Sequence, residues 1–317
     1  MGRGLLAVKN ITKGEKILFI PKKLILSSNT IKYSSDPLHR QLYESFSNKD
    51  NAELMIAFIL LEKYRDKESF WYPYLQVLPT YVPNLAQFDK EELNELQSPA
   101  FADEVIDSWH QTIQNFNYFH DQIKAYWPSD PQHVTLQEYM WASSIVDSRG
   151  FRFRGEINLA PYSDMFNYSP HPDPRSPDGG NFFLEHHILS KDGLEVHADR
   201  DCPMKSQLFE DYGDNSDRIY LQYHGFMPEN NPFRCVQISA HPMDHPSISP
   251  RKQELLKQFR FKKAPSRCVD ETGDLGQPLI AYLSLLALNE EEVHVLRSFS
   301  CPDTMAVGIS LPRNSSL

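Results

Sequence analysis

The chain has 317 residues, a hydrophobic fraction of 40% and a formal net charge of −10 at pH 7. This content can build a sizeable core in one large domain or two, which excludes a disordered tail. The acidic balance argues against sequence-independent binding of nucleic acid, because such binding needs excess lysine and arginine. No apolar run is long enough to span a bilayer and no secretory signal is visible, so a soluble protein is expected.

Four cysteines recur at an interval of 33 residues, at Cys202, Cys235, Cys268 and Cys301. Their flanks do not repeat beyond Arg-Cys-Val at 235 and 268, so we interpret the interval as coincidence. No C-x-x-C pair is present. We therefore expect four reduced thiols in an intracellular protein, cytoplasmic or nuclear, with organellar import left open.

The first 34 residues predict a loop followed by two short strands. Gly2-Arg3-Gly4 precedes one apolar run, and Gly14 separates it from a second at 16–21. A glycine turn between two β-type runs predicts a hairpin-like start. Backbone without side chains can approach a ligand closely, although most Gly-x-Gly triplets are only turns.

From 35 to 140 the pattern becomes helical. Apolar side chains recur at spacings of four, three and three at Leu54, Phe58, Leu61 and Tyr64. Thr135 and Glu138 have the spacing of a capping box, which predicts the start of another helix. An aromatic connector at 69–79 is interpreted as core packing rather than as cofactor contacts.

The segment 158–226 is the main candidate for a site. Pro161 and Pro170 bracket an Asp and an Asn that readily bond nearby backbone, which predicts a rigid turn. An alternating run at 208–212 predicts a strand that ends at Tyr212. A phenol beside such turns indicates a functional site.

Between these two parts, 171–181 is rich in Pro, Asp, Ser and Gly, which predicts a mobile surface loop. The stretches 182–189 and 193–198 predict strands. The nearby histidines are His186, His187 and His197. No carboxylate or cysteine lies at a matching spacing, so no metal site is predicted.

Beyond Phe226 a polar segment marks a boundary, and 251–261 and 279–297 predict helices of a small domain. That domain is expected to be incomplete at Leu317.

Taken in order, the motifs resemble those of one family, the SET-domain protein methyltransferases of the Rubisco large-subunit and actin-histidine methyltransferase class. The matching segments are Gly-Arg-Gly-Leu-Leu-Ala at 2–7, Ser-Phe-Trp-Tyr-Pro-Tyr-Leu at 69–75, Trp141 to Arg149, Asp-Met-Phe-Asn-Tyr at 164–168, Tyr-Gly-Asp-Asn-Ser at 212–216, Gly225-Phe226 and 285–292. Each motif is weak alone, and their order makes the resemblance specific.

The resemblance implies an α+β fold, with a β-rich SET core wound into a pseudoknot. Residues 1–34 would form the N-terminal part of the core, and residues 141–226 its C-terminal, catalytic part. Residues 35–140 would form a helical insertion, and 227–317 a C-terminal helical substrate-binding lobe.

The resemblance also implies an S-adenosylmethionine-dependent methyltransferase that modifies a lysine of a non-histone protein. Such an enzyme would act as a monomer, without nucleic acid, membrane or metal. The residues carried over are Gly2, Arg3, Gly4, Arg149, Asp164, Asn167, Tyr168 and Tyr212 for the cofactor, Tyr212 as the catalytic phenol, and Tyr223 and His224 for the substrate channel.

Departures from the family pattern leave the acceptor open. Tyr168 replaces the usual His, Asp217 replaces the usual Asn, and Tyr223-His224 replaces the usual His-Tyr. Lysine is neutral only about once in several thousand at pH 7, a deficit of roughly 4–5 kcal/mol, whereas histidine needs little help. Histidine methylation and a catalytically silent binding scaffold therefore remain alternatives.

Overall fold

The computed structural model describes residues 3–96, 98–124, 127, 134–153, 155–169, 187–210, 212–229 and 231–297. The chain divides into two compact units, one up to Pro232 and one from Phe233 onwards. Within the described residues, no helix combines the length and apolar character needed to cross a membrane. The finer division of the first unit into core and insertion stays a prediction.

The first unit is rich in helices, as the periodicity of 35–140 predicts. Its helices are α1 Ser28–Lys32, α2 Pro37–Phe46, α3 Asn51–Arg65, α4 Tyr72–Leu75, α5 Lys90–Asn94, α6 Pro99–Ile123, α7 Leu136–Arg149 and α8 Asp217–Ile219. The capping box is confirmed, because Thr135 accepts from the Glu138 backbone and the Glu138 side chain accepts in return. It satisfies two N–H groups that the start of a helix leaves unpaired.

Helix α3 forms the centre of the main core. Residues 54–62 of α3 are all buried, so the helix has neighbours on every side. Trp71 and Tyr74 of the aromatic connector are buried in the same cluster. The interpretation of the connector as packing is therefore confirmed, although Tyr74 also has a polar role described below.

The strands of the first unit are short and form separate small sheets. Their bounds are β1 Leu5–Leu6, β2 Lys16–Pro21, β3 Phe151–Phe153, β4 Glu156–Asn158, β5 Asn167–Tyr168, β6 His187–Leu189, β7 Gly193–His197 and β8 Gln207–Glu210. One sheet has the order β1-β8-β5, another β2-β7-β6, and β3 pairs with β4. Strand β7 confirms the strand predicted at 193–198, and β6 confirms the end of the strand predicted at 182–189, whose residues 182–186 lie outside the described residues. The loop predicted at 171–181 lies outside the described residues.

The expected hairpin at the N-terminus is wrong. Gly14 does make a turn with φ of 82°, but β1 pairs antiparallel with β8 and β2 pairs antiparallel with β7. Both partners lie more than 170 residues further along the chain. Local turn chemistry identifies strands and turns, whereas long-range pairing decides which strands become neighbours.

The sheet β1-β8-β5 brings three distant segments together. Strand β5 runs parallel to β8, with Asn167 opposite Phe209, while Leu5 lies opposite Leu208 on the other side. The residues after β8, the residues after β5 and the loop before β1 therefore lie at the same end of this sheet.

The second unit combines helices with a β-ribbon. Helices α9 Pro250–Gln258, α10 Gln277–Ala287 and α11 Glu290–Arg297 confirm the predicted helical segments. Strands β9 Val236–Ser239 and β10 Ser266–Val269 pair antiparallel, and the sequence did not indicate them. The helices bury Leu255, Tyr282 and Val293 in a core of their own.

The expectation of four reduced thiols is also wrong. Cys235 and Cys268 form a disulfide, with their Cα atoms 5.3 Å apart. Pairing of β9 with β10 places the two Arg-Cys-Val segments side by side, so their similar flanks mark two facing strands. Cys202 is free, and Cys301 lies outside the described residues.

Candidate functional site

The turn before β5 is built as a short 3₁₀ segment, Ser163–Met165. Tyr162 adopts a φ of 72°, a region that costs a residue with a side chain of the order of 1–3 kcal/mol. The Asp164 amide donates to the carbonyl of Ala160 at 3.1 Å. The turn predicted here is confirmed, and its rigidity stays a prediction.

Arg149, the last residue of α7, meets this turn. Its Nη1 donates to the Asp164 carbonyl at 2.8 Å and to Asp164 Oδ2 at 3.3 Å. The Tyr74 hydroxyl donates to the same Oδ2 at 2.8 Å. Burial raises the pKa of Asp164, while the charge of Arg149 and the Tyr74 hydroxyl oppose that rise. The sequence had placed Tyr74 in the core only, because aromatic residues at such spacing give no sign of a polar contact.

Two atoms of this ion pair have no partner among the described residues. They are Arg149 Nε and Asp164 Oδ1, and both are fully buried. An unpaired buried donor or acceptor costs about 1–3 kcal/mol. One donor and one acceptor kept unpaired at the same place suit a ligand that carries both an anionic and a cationic group.

The N-terminal loop lies against the same turn. Asn167 Nδ2 donates to the Arg3 carbonyl at 3.0 Å. A Cβ on Gly4 would lie 2.6 Å from Asn167 Nδ2, so the absence of a side chain permits this close approach. Three predicted site residues are thus in contact, and Gly2 lies outside the described residues.

Strand β8 ends at Glu210, two residues before Tyr212, where the sequence predicted the strand to end. The Tyr212 hydroxyl donates to the Phe166 carbonyl at 2.7 Å. Burial, reinforced by the nearby carboxylate of Glu210, raises the pKa of Tyr212 above its ordinary value. The phenol therefore keeps its proton at neutral pH. Its oxygen is a positioned hydrogen-bonding group rather than a base.

Aromatic rings surround Tyr212. The Tyr168 ring lies 5.5 Å from it and the His224 ring 4.8 Å, measured between ring centres. Tyr168 also packs on Tyr220 at 4.8 Å. Tyr168 therefore contributes its ring to the packing around Tyr212.

Tyr223 and His224 lie in a π-helical turn, Tyr220–His224, which ends at Gly225 with φ of 76°. A Cβ on Gly225 would lie 2.6 Å from the Pro83 carbonyl carbon, so glycine is required by contact as well as by conformation. His224 Nδ1 lies 3.3 Å from the Ser148 carbonyl.

One cavity of about 680 Å³ collects most of these groups. It is lined by five of the predicted residues, namely Arg149, Asp164, Tyr212, Tyr223 and His224. Arg3, Gly4, Asn167 and Tyr168 do not line it. Within the described residues, no three His, Cys, Asp or Glu side chains are grouped to hold a metal ion.

Asp147 is a cavity residue that the sequence did not indicate. It lines this cavity and a second one of about 270 Å³, and Tyr223 also lines both. Asp147 makes no hydrogen bond and no ion pair with the described residues. Burial raises its pKa to about 7, and only the charge of Arg152 opposes this. The only sign of this role in the sequence is that Asp147 is a charged residue two positions before Arg149.

We expect Asp147→Asn to stabilise the protein in a pH-dependent way. The folded-state pKa is about 7 against an ordinary 3.8, so the unfolded chain loses its proton first and the free energy of unfolding falls as pH rises from about 4 to about 7. Urea unfolding should show a gain of about 2 kcal/mol at pH 8, after discounting for partial exposure. The gain should vanish at pH 4. Equal stability of both proteins at pH 8 would contradict it.

The comparisons with known proteins agree with this geometry. No protein-family model matches the chain. It is 26% identical over 306 residues to the actin-histidine N-methyltransferases of Canis lupus familiaris and Mus musculus, which covers 92% of this chain. The chain spans about half the length of these relatives, 50% and 49%.

Solved structures give the fold. The SET domain of LSMT bound to lysine and AdoHcy superposes with a TM-score of 0.75 at 21% identity, and Rubisco LSMT bound to AdoMet with 0.75 at 20%. Each match covers 93% of this chain and 66% of the other. The protein has a SET-domain fold. The predicted α+β class and the resemblance inferred from the motifs are confirmed.

Proposed function

We propose that this SET-fold protein is an S-adenosylmethionine-dependent protein methyltransferase. The observation that carries the proposal is one cavity lined by Tyr212 and by the buried Arg149–Asp164 pair, which keeps one donor and one acceptor unpaired among the described residues. The relatives named as actin-histidine N-methyltransferases and the LSMT structures support it.

The residues present fit the amino-acid end of S-adenosylmethionine. Arg149 Nε offers a donor to a carboxylate, and Asp164 Oδ1 offers an acceptor to an ammonium group. Asn167 and Tyr168, with Gly2, Arg3 and Gly4, are proposed to hold the rest of the molecule. When bound, S-adenosylmethionine supplies an electrophilic methyl group on a sulfonium.

The chain itself contributes positioning. Methyl transfer is an in-line displacement, so alignment of the acceptor nitrogen matters more than acid or base strength. The Tyr212 proton is engaged by the Phe166 carbonyl, which leaves the phenol oxygen able to accept an N–H bond. Tyr212 can therefore orient an acceptor nitrogen without changing its own protonation.

We propose a lysine of a non-histone protein as the acceptor. The cavity walls include Phe151, Phe153, Ile157 and Ile219, whose apolar surfaces suit four methylenes. These walls also disfavour an ammonium group by desolvation, which lowers the deficit of neutral lysine. Histidine is the second candidate, favoured by the names of the relatives.

Labelled transfer distinguishes the candidates. The full chain is incubated with methyl-labelled S-adenosylmethionine and a cell lysate, and the labelled protein is hydrolysed to amino acids. Label in methyl-lysine supports the proposal, whereas label in methyl-histidine selects the second candidate. If no protein is labelled and calorimetry shows no micromolar cofactor binding, the alternative of a catalytically silent binding scaffold is supported.

A further inference from the structure

The imidazole of His224 is held in one orientation and one tautomer. Its Nδ1 lies 3.3 Å from the Ser148 carbonyl. A carbonyl oxygen only accepts hydrogen bonds, so Nδ1 must carry the proton. In the neutral ring, Nε2 therefore carries a lone pair.

That lone pair has no partner in the described part of the chain. His224 makes no hydrogen bond through Nε2 to the described residues. Four side-chain polar atoms among those residues are fully buried without a partner, and Nε2 is not one of them. His224 lines the 680 Å³ cavity, so this acceptor belongs to a side chain at the cavity wall.

His224 is also close to the proposed phenol. The ring centres of His224 and Tyr212 are 4.8 Å apart, with 35° between the ring planes. Burial lowers the pKa of His224 below its ordinary value, opposed only by the bond to Ser148. At neutral pH the ring is therefore uncharged and its acceptor is available.

We propose that His224 Nε2 accepts a hydrogen bond from the acceptor nitrogen of the protein substrate, as the partner of the Tyr212 oxygen. A neutral lysine amine has two N–H groups and one lone pair. With one N–H bonded to each acceptor, the lone pair is left facing the methyl group. This role rests on the proposed methyltransferase function and assigns its acceptor contact to a residue that departs from the family pattern.

Protonation of His224 would abolish this contact. Nε2 would then present a second N–H and a positive charge to the substrate. Two sets of titratable groups surround the ring. Tyr220 packs against it, and the groups that line the same cavity are Tyr212, Tyr223, Asp147, Arg149, Asp164, Arg152 and Glu210. Among them, Asp147 titrates near pH 7, so its effect must be removed by comparison at equal pH between variants.

The test compares His224→Phe, which keeps a ring but has no acceptor, with His224→Gln, whose amide oxygen can reach the position of Nε2. Initial rates of labelled methyl transfer into a fixed, limiting lysate protein fraction are measured from pH 5 to 8. Cofactor affinity is measured by calorimetry. We expect His224→Phe to slow transfer about 10- to 100-fold with cofactor affinity unchanged, and His224→Gln to recover most of the rate.

The pH profile supplies a readout that a purely structural role would not move. As the pH is lowered, the wild-type rate should fall more steeply below the pKa of His224 than above it. Below that pKa, both the substrate amine and His224 must lose a proton before transfer. His224→Gln should lack this extra steepness. If His224→Phe fails to fold, the wild-type and Gln profiles decide.

Two failures can be told apart. A wild-type protein that binds no cofactor and transfers no methyl group would overturn the proposed function and the role of His224 with it. Transfer that is equally fast and equally pH-dependent in wild type, His224→Phe and His224→Gln would overturn the role of His224 alone.

Discussion

Replacing Arg149 with alanine should abolish measurable binding of S-adenosylmethionine. The change removes the donor Nε and leaves the carboxylate of Asp164, which is 1% exposed in its side chain, without its ion-pair partner. Breaking a buried pair on one side costs about 3–5 kcal/mol, so stability should fall as well. Calorimetry should show affinity reduced more than about 100-fold, a change of about 3 kcal/mol.

The loss of binding must be separated from unfolding. The double variant Arg149→Ala with Asp164→Asn removes both charges, so it should recover part of the lost thermal stability while still failing to bind. Arg149→Lys keeps the charge without the planar fork and should bind weakly. A folded Arg149→Ala protein with micromolar affinity would remove Arg149 from the cofactor site.

Tyr212→Phe should retain cofactor binding and lose methyl transfer. The substitution removes the oxygen that orients the acceptor nitrogen, while the ring still packs on Tyr168 and His224. Loss of the bond to the Phe166 carbonyl should cost about 1 kcal/mol of stability. Transfer of label to lysate protein should fall by about 100-fold or more, because alignment of the nitrogen is lost.

Tyr220→Phe is the matched control. The Tyr220 hydroxyl donates to the Gly213 carbonyl at 2.8 Å, and its ring packs on Tyr168, but Tyr220 does not line the cavity. The Tyr220→Phe protein should be destabilised by a similar amount to Tyr212→Phe, and it should keep methyl transfer. Persistent labelling by Tyr212→Phe, or equal loss in both variants, would show that the phenol has no special role.

Local chemistry in the sequence determined much of the helical framework and the candidate residues. The capping box at Thr135 fixes the start of the helix that ends at Arg149, since it depends on residues three positions apart. The turn at Asp164 and the strand before Tyr212 also follow from neighbouring residues. The resemblance added their roles, and the cavity joins five of the residues it named.

Tertiary structure alone decided what depends on partners distant in sequence. It paired β1 with β8 and joined Cys235 to Cys268, where the sequence predicted a hairpin and free thiols. It also directed the Tyr74 hydroxyl to Asp164 and left Asp147 facing two cavities without a partner. Periodicity reports which face of an element is buried, whereas pairing, desolvation and hydrogen bonding depend on which groups the fold brings within a few ångströms.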